Sequence, residues 1–143
     1  MNGRKIVGGE ALVSITSDQD IVTARQTGRS LASELGLSST EATLLATAIS
    51  EVARNILEYA GEGEVLLANI NLDGRKGISV IARDSGPGIE DLDLVLQSEQ
   101  SSSKRPGMGL PGARRLMDEF EIVSETGKGT TVTMMKWKGD VGR

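Results

Sequence analysis

The sequence predicts an α+β fold, a two-layer sandwich in which helices cover one face of a mixed, mostly antiparallel sheet. Two observations support it. Strand-like and helical segments come in clusters, in the order strand, two helices, two strands, loop, helix and two strands. The chain of 143 residues also has the usual length of one domain. With one Trp, one Tyr and one Phe, its core must be built from aliphatic side chains.

The N-terminal part is predicted to start with one strand. Apolar and polar side chains alternate in residues 10–16, as on a half-buried strand. Residues 1–9 are polar and glycine-rich, so we expect a flexible arm there. The domain proper is expected to span residues 10–138, followed by a flexible polar tail at 139–143.

Two helices are predicted next. Ser17 can cap the first, whose apolar residues recur at three and four positions, and Gly36 ends it. Ser38 and Glu41 form a capping box that opens the second and longer helix, which Gly61 ends. The apolar stripe of this second helix consists of Ala42, Leu45, Ala46, Ile49, Val52, Ala53, Ile56 and Ala60.

The middle of the chain reads as a β-hairpin followed by a tight loop. Residues 63–72 and 76–83 are rich in Val, Ile and Leu, and Asp73-Gly74 between them is a hairpin signal. Residues 84–88, with the sequence DSGPG, form the tight loop.

The last part is predicted to contain a lid-like loop, a helix and a strand pair. Residues 91–96 can form one or two helical turns, and the polar, serine-rich residues 97–106 are expected to be a mobile loop. Residues 110–119 are predicted as a helix with a proline in its first turn. Residues 121–125 and 130–137 are predicted as an antiparallel pair.

Composition excludes several classes of protein. The net charge of −4 and the pI near 4.9 argue against a nucleic-acid partner. The chain has no Cys and no His, which excludes disulfides, thiol chemistry, imidazole bases and zinc sites of the usual kind. No apolar run approaches the ~20 residues of a membrane span, so we expect no membrane partner and a cytoplasmic location.

Glu51 and Asn55 are a candidate catalytic pair. They lie four residues apart on the second predicted helix, so their side chains are neighbours. At about 100° per residue, Glu51 lies roughly opposite the centre of the apolar stripe, and Asn55 lies between that point and the stripe edge. The pair offers a possible base and a neutral oxygen ligand for a hard cation such as Mg²⁺. The alternative is a solvated helix face.

Asp84 and the glycines that follow it are a candidate ligand loop. Asp84, Gly86 and Gly88 come directly after a predicted strand. Glycines allow the backbone to approach a flat ligand, and a carboxylate at a strand end can accept a hydrogen bond from an exocyclic amine. The alternative is an ordinary turn, in which Asp, Gly and Pro are common.

Residues 107–112 formally match GxGxxG. No predicted strand precedes them, so a dinucleotide site of the Rossmann type is not expected. A glycine-rich loop that enters a helix still suits anion binding, because free N–H groups point outward there. Lys104 and Arg105 could add charge, or they could simply solubilise the loop. Thr130 and Thr131 are unremarkable for a strand on their own.

Together these motifs are more specific than any one of them, because their order and spacing resemble the N, G1, G2 and terminal boxes of the GHKL ATPase/kinase superfamily over residues 10–137. The matching segments are Glu51-x-x-x-Asn55, Asp84-x-Gly86-x-Gly88, Gly107-x-Gly109 and Gly129-Thr130. Within the superfamily, residues 48–56 (AISEVARNI) and 109–120 (GLPGARRLMDEF) are similar to the switch serine/threonine kinases of bacterial stressosomes. Pro111 departs from the commoner Gly-x-Gly-Leu-Gly form but suits this branch, as does Arg54. Sensor histidine kinases need a phosphoacceptor His, which this chain lacks.

The resemblance implies a Bergerat fold, bound ATP and Mg²⁺, and a role for each motif residue. Asp84 would bind the adenine amine with support from Thr130, Asn55 would bind Mg²⁺, and Glu51 would orient or deprotonate the attacking hydroxyl. The implied ATP-binding set is Asn55, Asp84, Gly86, Gly88, Ile89, Gly107, Met108, Gly109, Leu110 and Thr130.

The resemblance also implies a biological role. Family substrates are Ser or Thr residues of STAS-domain scaffold or antagonist proteins, and the released kinase activates a metal-dependent Ser/Thr phosphatase. The leading hypothesis is therefore a partner-switching protein-serine/threonine kinase of a bacterial stress-response or sigma-factor pathway. Two alternatives stay open: an anti-sigma factor kinase that sequesters a sigma subunit, and a non-catalytic, nucleotide-gated binding module.

Overall fold

A computed structural model describes residues 4–97 and 109–139. The helices and strands follow the predicted order. They are β1 (Arg4–Ile15), α1 (Asp18–Leu35), α2 (Ser39–Tyr59), β2 (Gly63–Leu72), β3 (Arg75–Asp84), α3 (Leu92–Gln97), α4 (Gly109–Leu116), β4 (Glu119–Glu125) and β5 (Gly129–Trp137).

The strands form one five-stranded sheet in the order β1-β2-β3-β5-β4. The α+β sandwich is therefore confirmed. Every neighbouring pair of strands is antiparallel, so the sheet is fully antiparallel where a mixed, mostly antiparallel one was predicted. Alternate residues of the strands face the helices, where Ile49 of α2, Val80 of β3 and Met134 of β5 are completely buried in one core. Within the described residues, no helix is both long and apolar enough to cross a bilayer.

Local signals explain most element boundaries. Ser38 and Glu41 form the predicted capping box of α2, since each accepts a backbone hydrogen bond from the other. Asp73 and Gly74 both have positive φ angles, of 53° and 86°, as the predicted tight hairpin requires. Gly36 adopts the left-handed conformation after α1.

The predicted N-terminal arm is wrong for residues 4–9, because β1 begins at Arg4 and pairs with β2 from there. The pairing register shifts between Ile6 and Glu10. This irregularity breaks the period-two pattern from which a strand is recognised in sequence. Residues 1–3 and 140–143 of the predicted arm and tail lie outside the described residues.

Two further boundaries differ from the prediction near the C-terminus. The helix predicted for residues 110–119 ends at Leu116, and β4 begins at Glu119 rather than at residue 121. Asp118 accepts a hydrogen bond from Trp137 N at 2.7 Å, which ties the start of β4 to the end of β5. Of the predicted mobile loop, Gln97 is the last residue of α3, and residues 98–106 lie outside the described residues.

The capping carboxylate of Glu41 is expected to make stability depend on pH. Its two oxygens accept hydrogen bonds from Ser38 N and Gly139 N, each at 2.7 Å. These bonds, the one from Ser38 above all, lower the pKa of Glu41 below the ordinary value of a glutamate side chain. The carboxylate form therefore stabilises the folded state at neutral pH, and this stabilisation is lost as the pH falls through the lowered pKa.

Glu41→Gln is therefore expected to lower the free energy of unfolding at pH 7 by about 1 kcal/mol. The difference from the wild type should shrink towards about pH 3, because the wild-type carboxyl takes up a proton as the pH falls through its lowered pKa. Urea denaturation at both pH values measures it. Glu34→Gln, at an exposed position near the end of α1, is the control. A difference that is the same at both pH values would contradict the carboxylate cap.

Candidate functional site

Glu51 is buried between α2 and α4. Only 5% of its surface is exposed. Its Oε1 accepts a hydrogen bond from Gly109 N at 3.1 Å, and its Oε2 lies 3.3 Å from Arg54 Nη1. The sequence correctly placed this carboxylate away from the apolar stripe of α2. The alternative of a solvated helix face is wrong, because α4 packs on that side of α2 and covers it.

The Glu51 carboxylate keeps capacity for further hydrogen bonds beyond those from the described residues. Each of its oxygens accepts one hydrogen bond, and a carboxylate oxygen has capacity for two. One turn further along α2, the carboxamide of the half-buried Asn55 forms no hydrogen bond with any residue in the described ranges. The structure therefore brings a held carboxylate and an unengaged amide together on one side of α2.

Asn55 fits the magnesium site that the sequence predicted. Mg²⁺ bound to a nucleotide usually keeps several waters and takes one or two protein oxygens besides the phosphates. An unengaged amide oxygen meets this need. No group of three or more acidic residues within 4–97 and 109–139 forms an all-protein cage. This site therefore suits a Mg²⁺ ion that is also bound by the phosphates of a nucleotide.

Asp84 is the last residue of β3, and its carboxylate accepts backbone hydrogen bonds from the turn that follows and from β5. Its Oδ1 accepts hydrogen bonds from Gly86 N at 2.9 Å and from Thr130 N at 3.3 Å. Its Oδ2 accepts none from the described residues, and the side chain is half-exposed. One oxygen thus fixes the orientation of the carboxylate, and the other is left to accept a hydrogen bond from a ligand.

Two glycines of this loop are needed by its packing. A Cβ on Gly86 would clash with the Cβ of Ala60 at the end of α2. Gly88 has a φ of 81°, and a Cβ there would lie 2.5 Å from the carbonyl oxygen of Glu125. These contacts press the loop against α2 on one side and against the β4–β5 turn on the other.

Ser124 also belongs to this region, and sequence reasoning missed it. Its Oγ accepts a hydrogen bond from Ile89 N at 2.8 Å and lies 2.8 Å from Thr130 Oγ1. Thr130 itself is only 3% exposed. The available signal was that Ser124 occupies a helix-facing position of β4 in line with the apolar Phe120 and Ile122.

The remaining predicted residues are placed less directly. Ile89 and Leu110 are buried in the core, so only their backbone could meet a ligand. Gly109 is the first residue of α4, and its N–H is bound to Glu51. Gly107 and Met108 lie outside the described residues, as do the two cations at 104 and 105.

The chain is similar in sequence to several known proteins. The model of the histidine kinase-like ATPase domain matches residues 15–136. The serine/threonine-protein kinase RsbT of Bacillus subtilis is 45% identical over 128 residues, which cover 90% of this chain and 96% of RsbT. The anti-sigma F factor of Caldanaerobacter subterraneus is 33% identical over 131 residues, or 87% of this chain and 90% of that protein. The one from Clostridium kluyveri is 32% identical over 127 residues, or 85% and 89%. The chain belongs to the family of histidine kinase-like ATPase domains.

Proposed function

We propose that the protein is a cytoplasmic serine/threonine protein kinase that transfers the γ-phosphate of ATP to a Ser or Thr of a STAS-domain partner. One observation carries the proposal: the buried Glu51 carboxylate is held by Gly109 and Arg54, one helical turn from the Asn55 amide, which forms no hydrogen bond with the described residues. The similarity to RsbT, a serine/threonine-protein kinase, supports the reaction class.

Asp84 and Asn55 would bind different parts of the nucleotide complex. The Oδ2 of Asp84, which accepts no hydrogen bond from the described residues, is suited to accept one from the adenine amine, while Gly86 and Thr130 hold Oδ1. Asn55 would hold Mg²⁺ through its amide oxygen. The ion would neutralise phosphate charge. In phosphoryl transfer, catalysis consists mainly of such charge neutralisation and of positioning the reactants.

Glu51 then acts on the attacking hydroxyl. The Ser or Thr oxygen of the partner forms a bond to the γ-phosphorus as the bond from that phosphorus to the bridging oxygen of ADP breaks. The hydroxyl proton passes to Glu51, and ADP leaves with the bridging oxygen. The hydrogen bond from Gly109 and the ion pair with Arg54 fix the direction in which the carboxylate faces.

The proposed cellular role is a partner switch in a bacterial stress-response pathway. Phosphorylation of the STAS-domain scaffold would release the kinase, which would then activate a metal-dependent Ser/Thr phosphatase. Support comes from the relatives, which include the serine/threonine-protein kinase RsbT and anti-sigma F factors.

The first experiment measures phosphate transfer from Mg²⁺-ATP to purified STAS-domain proteins of the same organism. Wild-type protein is expected to phosphorylate one of them, and Asn55→Ala should reduce the transfer by about 100-fold or more, because the metal loses its protein ligand. Gln26→Ala, an exposed amide on α1, is the control and should transfer normally. Full activity of Asn55→Ala would contradict the metal site.

Two other functions are distinguished by the same preparation. The similarity to anti-sigma F factors favours a kinase that also sequesters a sigma subunit. Tight binding of a sigma factor in the presence of ATP would establish the anti-sigma function. If ATP binds and neither phosphate transfer nor sigma binding occurs, the protein is a nucleotide-gated binding module.

A further inference from the structure

Three polar side chains form one row across β3, β5 and β4. Asp84 is the cross-strand partner of Thr130, and Thr130 is the cross-strand partner of Ser124. Two residues away along each strand, an apolar side chain packs in the helix-side core; these side chains are Ala82, Val132 and Ile122. The row therefore lies on the helix-facing surface of the sheet. Thr130 is between the candidate ligand residue Asp84 and Ser124 on the edge strand β4.

The hydroxyl hydrogen of Ser124 has one good acceptor. Its Oγ accepts a hydrogen bond from Ile89 N at 2.8 Å. Two oxygens are within reach of its own hydrogen, Thr130 Oγ1 at 2.8 Å and the carbonyl oxygen of Gly129 at 3.5 Å. Hydrogen bonds from a hydroxyl to an oxygen are about 2.5 to 3.0 Å long, so only the contact with Thr130 is in that range. Ser124 is therefore the donor in its bond with Thr130.

This direction leaves the hydrogen of the Thr130 hydroxyl to a ligand. Within residues 4–97 and 109–139, no other hydrogen bond involves Thr130 Oγ1. Thr130 is only 3% exposed, so bulk water does not satisfy its hydroxyl. A ligand that offers a donor to Oδ2 of Asp84 and an acceptor to Thr130 would satisfy both groups. Adenine has this pattern, because its ring nitrogen N1 is an acceptor and lies beside the exocyclic amine.

We propose that Ser124 contributes to the selection of adenine by holding the Thr130 hydroxyl as a hydrogen-bond donor towards ring nitrogen N1. The inference rests on the proposed function, since it concerns the ATP site of the same kinase. Ser124 does not contact the nucleotide and acts through Thr130, so it is a positioning residue. The hydrogen bond from Ile89 N in turn ties Ser124 to the loop that follows Asp84.

The analogue 1-deaza-ATP, which has a C–H group in place of N1, isolates this hydrogen bond. Wild-type protein is expected to bind ATP about 10-fold more tightly than 1-deaza-ATP, because the analogue leaves the Thr130 donor without an acceptor. Ser124→Ala should weaken ATP binding about fourfold, because the Thr130 hydroxyl is then no longer held in the donating direction. Its affinity for 1-deaza-ATP should stay within about 1.5-fold of the wild-type value, since this analogue makes no bond with the hydroxyl. Calorimetric titration measures the four dissociation constants.

Two further variants separate the orientation of Thr130 from a general effect on the loop. Ser124→Thr keeps a hydroxyl at the same position and should restore the preference for ATP to within about twofold of the wild type. Ser79→Ala removes a hydroxyl from a half-buried position of β3 on the opposite face of the sheet and should leave both affinities unchanged. A purely structural role of Ser124 in the loop would weaken the binding of both nucleotides by the same factor.

The outcomes distinguish this inference from the function on which it rests. If Ser124→Ala weakens ATP and 1-deaza-ATP equally, or if the wild type binds the two nucleotides equally, the orientation of Thr130 by Ser124 is wrong. ATP binding and phosphate transfer by the wild type would then still support the kinase function. If the wild type binds no ATP, the proposed function fails and this inference fails with it. A loss that is confined to ATP and restored by Ser124→Thr establishes Ser124 as a determinant of the preference for adenine.

Discussion

Replacing Glu51 with glutamine is expected to reduce phosphate transfer by about 100- to 10,000-fold, the contribution typical of a positioned base. ATP affinity should change by no more than about twofold, because Glu51 is assigned to the attacking hydroxyl and not to the nucleotide. Glutamine has nearly the same shape, and its Oε1 can still accept the hydrogen bond from Gly109. The fold and the junction of α2 with α4 should therefore persist.

Transfer to the STAS-domain substrate at saturating Mg²⁺-ATP, with ATP affinity measured by calorimetry, gives both quantities. Glu58→Gln makes the same chemical change on the same helix at an exposed position and should transfer at the wild-type rate. A Glu51→Gln protein that keeps full activity would refute the base assignment. A protein that loses ATP binding instead would show that Glu51 supports the nucleotide site.

The fold was largely predictable because its main signals are local. The capping box of Ser38 and Glu41 and the positive-φ turn at Asp73 depend on residues within one turn of each other, and both are present in the structure. The start of β1 was not predictable, because the register shift after Ile6 disrupts the alternation. Pairing with β2, more than fifty residues away, extends the strand nevertheless.

The sequence predicts that Glu51 and Asn55 are neighbours, but it does not predict the contacts of either side chain. The spacing of Glu51 and Asn55 follows from helix geometry alone. The burial of Glu51 does not, because it depends on α4, which comes 58 residues later in the chain. Ser124 was missed for the same reason: only the pairing of β4 with β5 shows that its hydroxyl meets Thr130.

Asp84→Asn is expected to reverse the base preference of the nucleotide site. Oδ1 of residue 84 is fixed by hydrogen bonds from Gly86 N and Thr130 N, which an asparagine oxygen can also accept. The amide nitrogen of Asn then replaces Oδ2, so a donor faces the adenine amine, which is itself a donor. One lost charged hydrogen bond and one unpaired donor should weaken ATP binding by about 10- to 100-fold.

Inosine triphosphate separates this effect from a damaged loop, because it carries a carbonyl oxygen where adenine has its amine. Wild-type protein should prefer ATP, since a carboxylate repels that oxygen, whereas Asp84→Asn should prefer inosine triphosphate, to which its amide can donate. Calorimetric titration of both proteins with both nucleotides measures the four affinities. Equal loss of both nucleotides in Asp84→Asn would mean that Asp84 only supports the turn. Oδ1 keeps its two backbone donors in either protein, so the melting temperature without nucleotide should stay nearly the same. A reversed nucleotide preference at unchanged stability would show that Oδ2 of Asp84 contacts the purine base.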